Sequence, residues 1–149
     1  MEGTHLNMND SQTVVHVSRV RLGPDNRPDW SDVVGVGMFQ IKPGAIFDRH
    51  FHDFDEYWLI HQGKAKVKVG DAESYVQRGD MVCTRAGVHH DIIEVYEEVE
   101  AFYFEQPVED GGRLGHLHEP VEDSQGHLVH GMPIPVDFPD EDLSGMFGQ

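Results

Sequence analysis

One short stretch, from Gly44 to Gly63, combines imidazole and carboxylate groups at a spacing that suits metal chemistry. His50 and His52 are two residues apart, so on a β-strand their side chains leave the same face. The carboxylate of Glu56 follows four residues later. Histidine and carboxylate ligands together suit a divalent transition metal such as iron, manganese, nickel, copper or zinc. The stretch therefore predicts a metal site.

A second stretch, from Gly79 to His90, has related features. It begins at Gly79, has a second glycine at Gly87 where the chain can turn, and ends in two histidines. A strand that leaves such a turn can bring one more histidine to the first stretch. His90 is therefore a candidate fourth ligand.

The first stretch resembles motif 1 of the cupin superfamily, in which glycine, His-x-His, glutamate and a closing glycine follow one another. Gly44, His50, His52, Glu56 and Gly63 meet every fixed position. The resemblance covers residues from about 33 to 105.

The second stretch resembles cupin motif 2 through Gly79, Gly87 and His90. It departs from that motif at Arg85, where proline is usual, and at Glu94, where asparagine is usual. The resemblance implies an all-β fold with a single jelly-roll β-barrel. It also implies one metal ion held by the set His50, His52, Glu56 and His90.

Without the motifs, the pattern of short strands and evenly spaced turns also predicts a barrel or sandwich. We expect a flexible leader at 1–12, the barrel at 13–106, and an irregular extension at 107–149. The extension is rich in Pro, Gly, His and Asp, and we expect it to pack on the barrel or on a dimer partner. Predicted strands are Thr13–Val20, Val33–Ile41, Tyr57–Ile60, Lys64–Val69, Ser74–Gln77, Met81–Thr84, His89–Val95 and Val99–Glu105.

The extension repeats the spacing of the first stretch, with His116, His118 and Glu122 in the places of the earlier ligands. A second metal site is one interpretation. The other is an acidic extension that carries histidines and binds no metal. Pro120 inside the repeat cannot donate to a sheet, and no partner motif follows it. We therefore favour the second interpretation.

Alternation along strands sorts the neighbours of the candidate ligands. Ile46 and Asp48 share a face with the first two histidines, Trp58 shares the face of Glu56, and Ile92 and Glu94 share the face of His90. Trp58, Ile46 and Ile92 are therefore candidate walls of a substrate pocket. Asp48 and Glu94 are catalytic candidates, since a carboxylate near a metal can transfer protons. Glu94 has a second interpretation, as a structural acid paired with a buried cation.

Composition excludes some partners. The formal net charge of -16 over 149 residues should repel nucleic acid and anionic membranes. No apolar run reaches the length of a membrane span, and the N-terminus shows no secretory signal pattern. Cys83 is the only cysteine and cannot form an internal disulfide, which fits a cytoplasmic location.

Together these observations predict a metal-dependent enzyme that acts on a small organic molecule. The metal would act as a Lewis acid or a redox centre at an open coordination position. The resemblance places oxygenase chemistry ahead of isomerase, epimerase or lyase chemistry. A non-catalytic cupin that binds a sugar or another small metabolite is the alternative from a different class. A homodimer is expected by analogy with small cupins.

Overall fold

The computed structural model describes residues 17–109 and 112–147. This part of the chain contains no α-helix, and none of its helices could cross a membrane. A short 3-10 helix spans Val121–Gln125. The strands are β1 (Gly35–Ile41), β2 (Ile46–Phe47), β3 (Glu56–Val69), β4 (Ala72–Gln77), β5 (Met81–Thr84), β6 (His90–Glu105), β7 (His127–Leu128) and β8 (His130–Gly131).

Two long strands organise the larger sheet, which runs in the order β1-β6-β3-β4 with antiparallel neighbours. β5 pairs with β3 beside β4, and β8 adds to β6 in parallel. β2 and β7 form a separate two-stranded sheet. This strand-rich fold confirms the all-β prediction.

The strands differ from the predicted ones mainly at their ends. Two predicted strands merge into β3 and two others into β6, because β-bulges let the backbone bend without breaking the ladder. The predicted leader at 1–12 and residues 13–16 lie outside the described residues. Val17–Val20 is described and forms no strand, so that part of the first predicted strand is wrong.

The core covers the inner faces of β3 and β6, which are hydrogen-bonded neighbours in the larger sheet. Ala65 and Val67 alternate with lysines along β3, and both are almost fully buried. They pack with Val95, Val99 and Ala101 of β6, which are at most 1% exposed. Burying a side chain the size of valine contributes roughly 1.5–3 kcal/mol, so this seam is a main source of stability.

The extension packs along the barrel. Val129, between β7 and β8, is fully buried in the core, and its amide donates to the carbonyl of Ala45. Further along, the Gln77 amide donates to the carbonyls of Pro139 and Asp140. The Arg78 guanidinium forms an ion pair with a carboxylate of the same segment.

Two glycines of β1 make room for large side chains of β6. A Cβ atom at Gly35 would collide with the carboxylate of Glu105, and one at Gly37 would collide with the phenol of Tyr103. Glycine in a strand interior often marks such a close approach. The space above β1 is therefore occupied by polar groups from the neighbouring strand.

Candidate metal centre

Three separate elements bring the four candidate ligands together. His50 and His52 lie in the irregular segment between β2 and β3, not in a regular strand as expected. A pair of backbone hydrogen bonds joins His50 to His90, at 3.2 and 2.8 Å. Glu56 begins β3, and His90 begins β6. The site therefore forms where two long strands start beside one bridged loop.

The four side chains form one buried cluster. Their candidate ligand atoms all lie within 4.8 Å of one another. The exposed fractions are 2% for His50, 2% for His52, 5% for Glu56 and 1% for His90. Such burial is unusual for a carboxylate and three imidazoles unless they are paired or bound to a metal.

Several nitrogens of the cluster have no hydrogen-bond partner. These are Nε2 of His52 and both ring nitrogens of His90. The Glu56 carboxylate oxygens lie 3.3 Å from His52 Nε2 and 3.4 Å from His90 Nε2, without forming hydrogen bonds. Buried polar atoms are rarely left unsatisfied in native proteins. A metal ion at the centre would take one ring nitrogen from each histidine, so Nε2 of His52 and one nitrogen of His90 would gain a partner. The residues therefore fit a bound divalent metal.

Protonation in the cluster also suits a cation. Burial alone would raise the pKa of Glu56, but His52 and His90 outweigh it and hold that pKa far below its usual value. Burial and the neighbouring His90 lower the pKa of His50 to about 3. Glu56 therefore presents an ionised carboxylate and His50 a neutral imidazole, which are the forms that bind metals. Burial alone would lower the pKa of His52, but the neighbouring Glu56 carboxylate outweighs it and raises that pKa.

Neighbouring groups orient the candidate ligands. The Nδ1 atom of His52 lies 2.9 Å from the carbonyl oxygen of Gly115, so it can donate there and leave Nε2 toward the centre. The indole of Trp58 donates to Glu56 Oε1 at 2.6 Å. Such partners outside the ligand set fix the tautomer and the direction of metal ligands.

A cavity of about 210 Å³ opens beside the cluster. Its volume is below the range of roughly 300–1,000 Å³ for sites that take drug-sized ligands, so it suits a smaller molecule. The residues that line it are Arg21, Phe39, Ile41, Phe47, His50, Glu56, Trp58, Tyr103, Glu105, Arg113 and His116.

The three residues expected to form pocket walls have different positions. Trp58 lines the cavity and is 4% exposed. Ile46 is 63% exposed and does not line it, so this prediction is wrong. Because 48–55 is not a regular strand, alternation from His50 points to the wrong residue, and Phe47 faces the cavity instead. Ile92 belongs to the core and also does not line the cavity.

Glu94 does not share the face of His90, and the expectation that it lies inside the barrel is wrong. The pairing of β3 and β6 shifts between Ile92 and Glu94, which adds one residue on β6 and reverses the alternation. Glu94 therefore pairs with Lys66 and accepts a hydrogen bond from the hydroxyl of Tyr96. Its carboxylate belongs to the outer face of the barrel.

Asp48 lies beside the cluster. Its backbone carbonyl accepts a hydrogen bond from His50, and its carboxylate contacts the extension. The Oδ2 atom is 2.8 Å from His116 Nδ1 and 2.7 Å from His118 Nε2. Burial alone would raise the pKa of Asp48, but His118 and His116 lower it. Asp48 thus anchors the extension next to the candidate ligands.

Sequence reasoning missed four polar residues of the cavity. Tyr103 and Glu105 follow the inward alternation of Val99 and Ala101, so a parity argument from the end of β6 could have found them. Arg21 reaches the cavity because Leu22 pairs with Val36 of β1. No local signal marks Arg21 or Arg113, since each comes from an irregular segment.

Comparison with known proteins identifies the barrel. Residues 37–105 match the profile of a family described as the cupin domain. This region is a cupin domain. The match contains all four candidate ligands and ends at the last residue of β6.

Two protein sequences are similar to the chain. The uncharacterized protein y4oW of Sinorhizobium fredii is 47% identical over 104 residues, which are 60% of this chain and 48% of that protein. The chain therefore spans about half of that relative's length. The uncharacterized protein SCO3923 of Streptomyces coelicolor is 28% identical over 76 residues, 51% of this chain and 72% of that protein.

The solved structures that share the fold at low sequence identity include the following two. Protein plu4264 of Photorhabdus luminescens is 20% identical, with a TM-score of 0.53 over 62% of this chain and 75% of that one. A salicylate 1,2-dioxygenase variant of Pseudoaminobacter salicylatoxidans, in complex with gentisate, is 13% identical, with a TM-score of 0.50. That match covers 58% of this chain and 24% of the other. At these identities the likeness shows the cupin fold alone.

Proposed function

We propose that this cupin is a metal-dependent enzyme that acts on a small organic molecule. His50, His52, Glu56 and His90 would hold one divalent transition metal beside the cavity. The observation that carries the proposal is the group of buried nitrogens without partners around an ionised carboxylate. A metal held there would supply Lewis-acid or redox chemistry.

Oxygenase chemistry is the first reaction class of the proposal, ahead of isomerase, epimerase or lyase chemistry. This order follows from three histidines and one glutamate as ligands, by analogy with other cupins. One solved structure that shares the fold is a salicylate 1,2-dioxygenase. Fold alone does not decide chemistry, so a cupin that binds a sugar or metabolite without turnover stays as the alternative.

The residues around the cavity would position a substrate beside the metal. Phe39, Phe47 and Trp58 form an aromatic wall, in which Trp58 meets both phenylalanines edge to face. Apolar walls with a few polar groups are typical of small-molecule sites, because they exclude water and orient the ligand. The indole of Trp58 also holds the Glu56 carboxylate.

Elemental analysis of the purified protein, followed by oxygen-consumption assays, tests this function. We expect one transition metal ion per chain and oxygen uptake with at least one compound from a panel of small carbonyls, phenols and sugars. Metal binding without oxygen uptake, but with product formation, would favour isomerase or lyase chemistry. Binding without any turnover would favour the non-catalytic alternative. A protein that binds no transition metal would contradict the proposal.

A homodimer in the cytoplasm completes the proposal. Two rows of uncharged side chains cross the outer face of β1, β6, β3 and β5, and we call them the apolar sheet face. In the first row, Met38, Phe102, Leu59 and Met81 are each at least 40% exposed. The second row holds Val36, Phe104, Tyr57 and Cys83.

The apolar sheet face suits a second copy of the chain. Stable interfaces bury about 800 Å² on each partner, and they combine an apolar centre with a polar rim. Chains with a net charge of -16 can approach each other most easily where both lack acidic groups. Light scattering should give twice the 16.9 kDa chain mass, and Phe102→Glu should give monomers. A monomeric wild-type protein would contradict the homodimer.

A further inference from the structure

The cavity beside the candidate ligands has an aromatic wall and, apart from it, an edge that carries two arginines. The guanidinium groups of Arg21 and Arg113 both line it, together with Tyr103 and Glu105. Arg113 donates two hydrogen bonds to Glu105, at 2.6 and 2.8 Å, and Glu105 is only 2% exposed. This pair is neutral as a unit, so it fixes Arg113 without leaving a net charge.

Arg21 is exposed, and its charge is not held in an ion pair as that of Arg113 is. Its guanidinium carbon lies 5.8 Å from the centre of the Tyr103 ring, which holds it by a cation–π contact. No carboxylate of the described residues forms an ion pair with it, although acidic groups outnumber lysines and arginines in the chain by 27 to 11. A metal ion at the centre would more than neutralise Glu56. The cavity would then be positive at both the metal and Arg21.

The same two arginines also line a groove of about 460 Å³ on the outside of the barrel. That groove is formed by the turn after Leu22 and by Val34. Arg21 and Arg113 therefore lie between the groove and the inner cavity. A ligand in either space would lie beside these two arginines, and in the groove it would also lie near the carboxylate of Asp25.

We propose that the ligand of this site is a small monocarboxylic acid with an aromatic or apolar body. Its carboxylate binds Arg21 at the cavity edge, and Arg113 lies beside that contact. Its body packs against the wall of Phe39, Phe47 and Trp58. Guanidinium groups recognise carboxylates through strong, directional hydrogen bonds. The local positive charge also explains how an acidic protein can attract an anion. The inference names the substrate class of the proposed enzyme and therefore rests on that function.

Binding of matched acids and amides tests the inference. Benzoate and hexanoate would be titrated into the metal-loaded protein and compared with benzamide and hexanamide by calorimetry. We expect at least one acid to bind about 10–100-fold more tightly than its amide, which is the usual effect of one charge-assisted hydrogen bond. Arg21→Gln should remove that preference and leave the amide affinity unchanged.

Arg85→Gln is the matched control, because Arg85 is exposed and does not line the cavity. It should change neither affinity. Equal binding of acid and amide by the wild-type protein would overturn the inference, and so would an unchanged acid preference in Arg21→Gln or no binding of either acid. Metal content would be measured on the same samples. Failure of the proposed function would appear as missing metal, whereas failure of the carboxylate inference would appear with the metal bound.

Discussion

The spacing His-x-His-x-x-x-Glu occurs twice in this chain, and the two copies differ in burial and in the residues around them. In the cupin domain, His50, His52 and Glu56 are buried and converge with His90. In the extension, Glu122 is exposed in the 3-10 helix and takes no part in a cluster with the two histidines.

The histidines of the extension have partners of their own. His116 and His118 both contact one oxygen of Asp48, and neither has a buried nitrogen without a partner. His116 also stacks on the His50 ring, with 3.7 Å between ring centres. With Asp48, His116 and His118 form a second group whose ligand atoms lie within 4.8 Å of one another, but this group is more exposed than the first. The two copies therefore share a spacing but differ in burial and in hydrogen bonding. A histidine whose ring nitrogen is buried without a hydrogen-bond partner is a candidate metal ligand. A histidine whose ring nitrogens have partners can instead anchor a segment of the chain.

The largest expected effect is a loss of metal affinity when a histidine of the first copy is replaced. His52→Ala should lower metal affinity by at least about 100-fold, because even partners outside the ligand set contribute about 10–100-fold. Elemental analysis and the shift of melting temperature on adding metal would measure it, since only the folded protein presents all ligands. His61→Ala, on the exposed side of β3, is the control and should keep full metal. Full occupancy in His52→Ala would mean that the site is wrongly assigned.

Substitutions in the second copy should lower the stability of the protein and leave its metal content unchanged. His116→Ala combined with His118→Ala should lower the free energy of unfolding by about 1–3 kcal/mol, because the Asp48 carboxylate loses both partners. Metal content should stay at one ion per chain. The double change His61→Ala with His130→Ala, both exposed, controls for loss of histidine. If the wild-type protein bound two ions and this variant one, the extension would be a second metal site.

A smaller effect is expected from another attachment of the extension, where His127 Nε2 lies 2.6 Å from Asp91 Oδ1. Burial alone would lower the pKa of His127, but the hydrogen bond to Asp91 outweighs it and raises that pKa. Because the pKa is raised on folding, this stabilisation is complete below about pH 6.5, the pKa of histidine in the unfolded chain. It is lost as the pH rises through the pKa of His127 in the folded protein.

Urea unfolding measured between about pH 6 and about pH 8.5 would report this titration. The wild-type protein should lose about 0.5 kcal/mol more stability over that interval than His127→Gln, because a partly exposed pair is screened by solvent. Burial raises the pKa of Asp91, against the lowering effect of His127. Parallel stability profiles of the two proteins would show that the pair does not titrate as described.

The smallest effect is expected at Glu94. Because the bulge places it on the outer face beside Lys66, Glu94→Gln should change stability by less than about 1 kcal/mol. Metal content and turnover should stay at the wild-type level. A loss of turnover of about 10²–10⁴-fold with the metal retained would revive its role in proton transfer. A large loss of stability would instead indicate a buried pair.

The sequence by itself determined the ligand types and the class of fold. The two motifs contain the candidate ligands in short segments with glycines at the turns, so residue identity and spacing suffice to suggest them. Alternation of lysines with small apolar residues from Lys64 to Val69 likewise predicts the inner and outer faces of β3. Residue identity and spacing are local properties, so they can be read without knowing how distant parts of the chain pack.

Only the tertiary structure decided which side chains surround the site. A single extra residue near Ile93 turned Glu94 outward, and the irregular segment before Glu56 exchanged Ile46 for Phe47 at the cavity. Arg21 and His116 reach the cavity from positions far apart in sequence. Bulges and long-range packing depend on how whole strands pair. They leave little trace in the local pattern of residues, because the side-chain alternation of a strand reverses with a shift of one position.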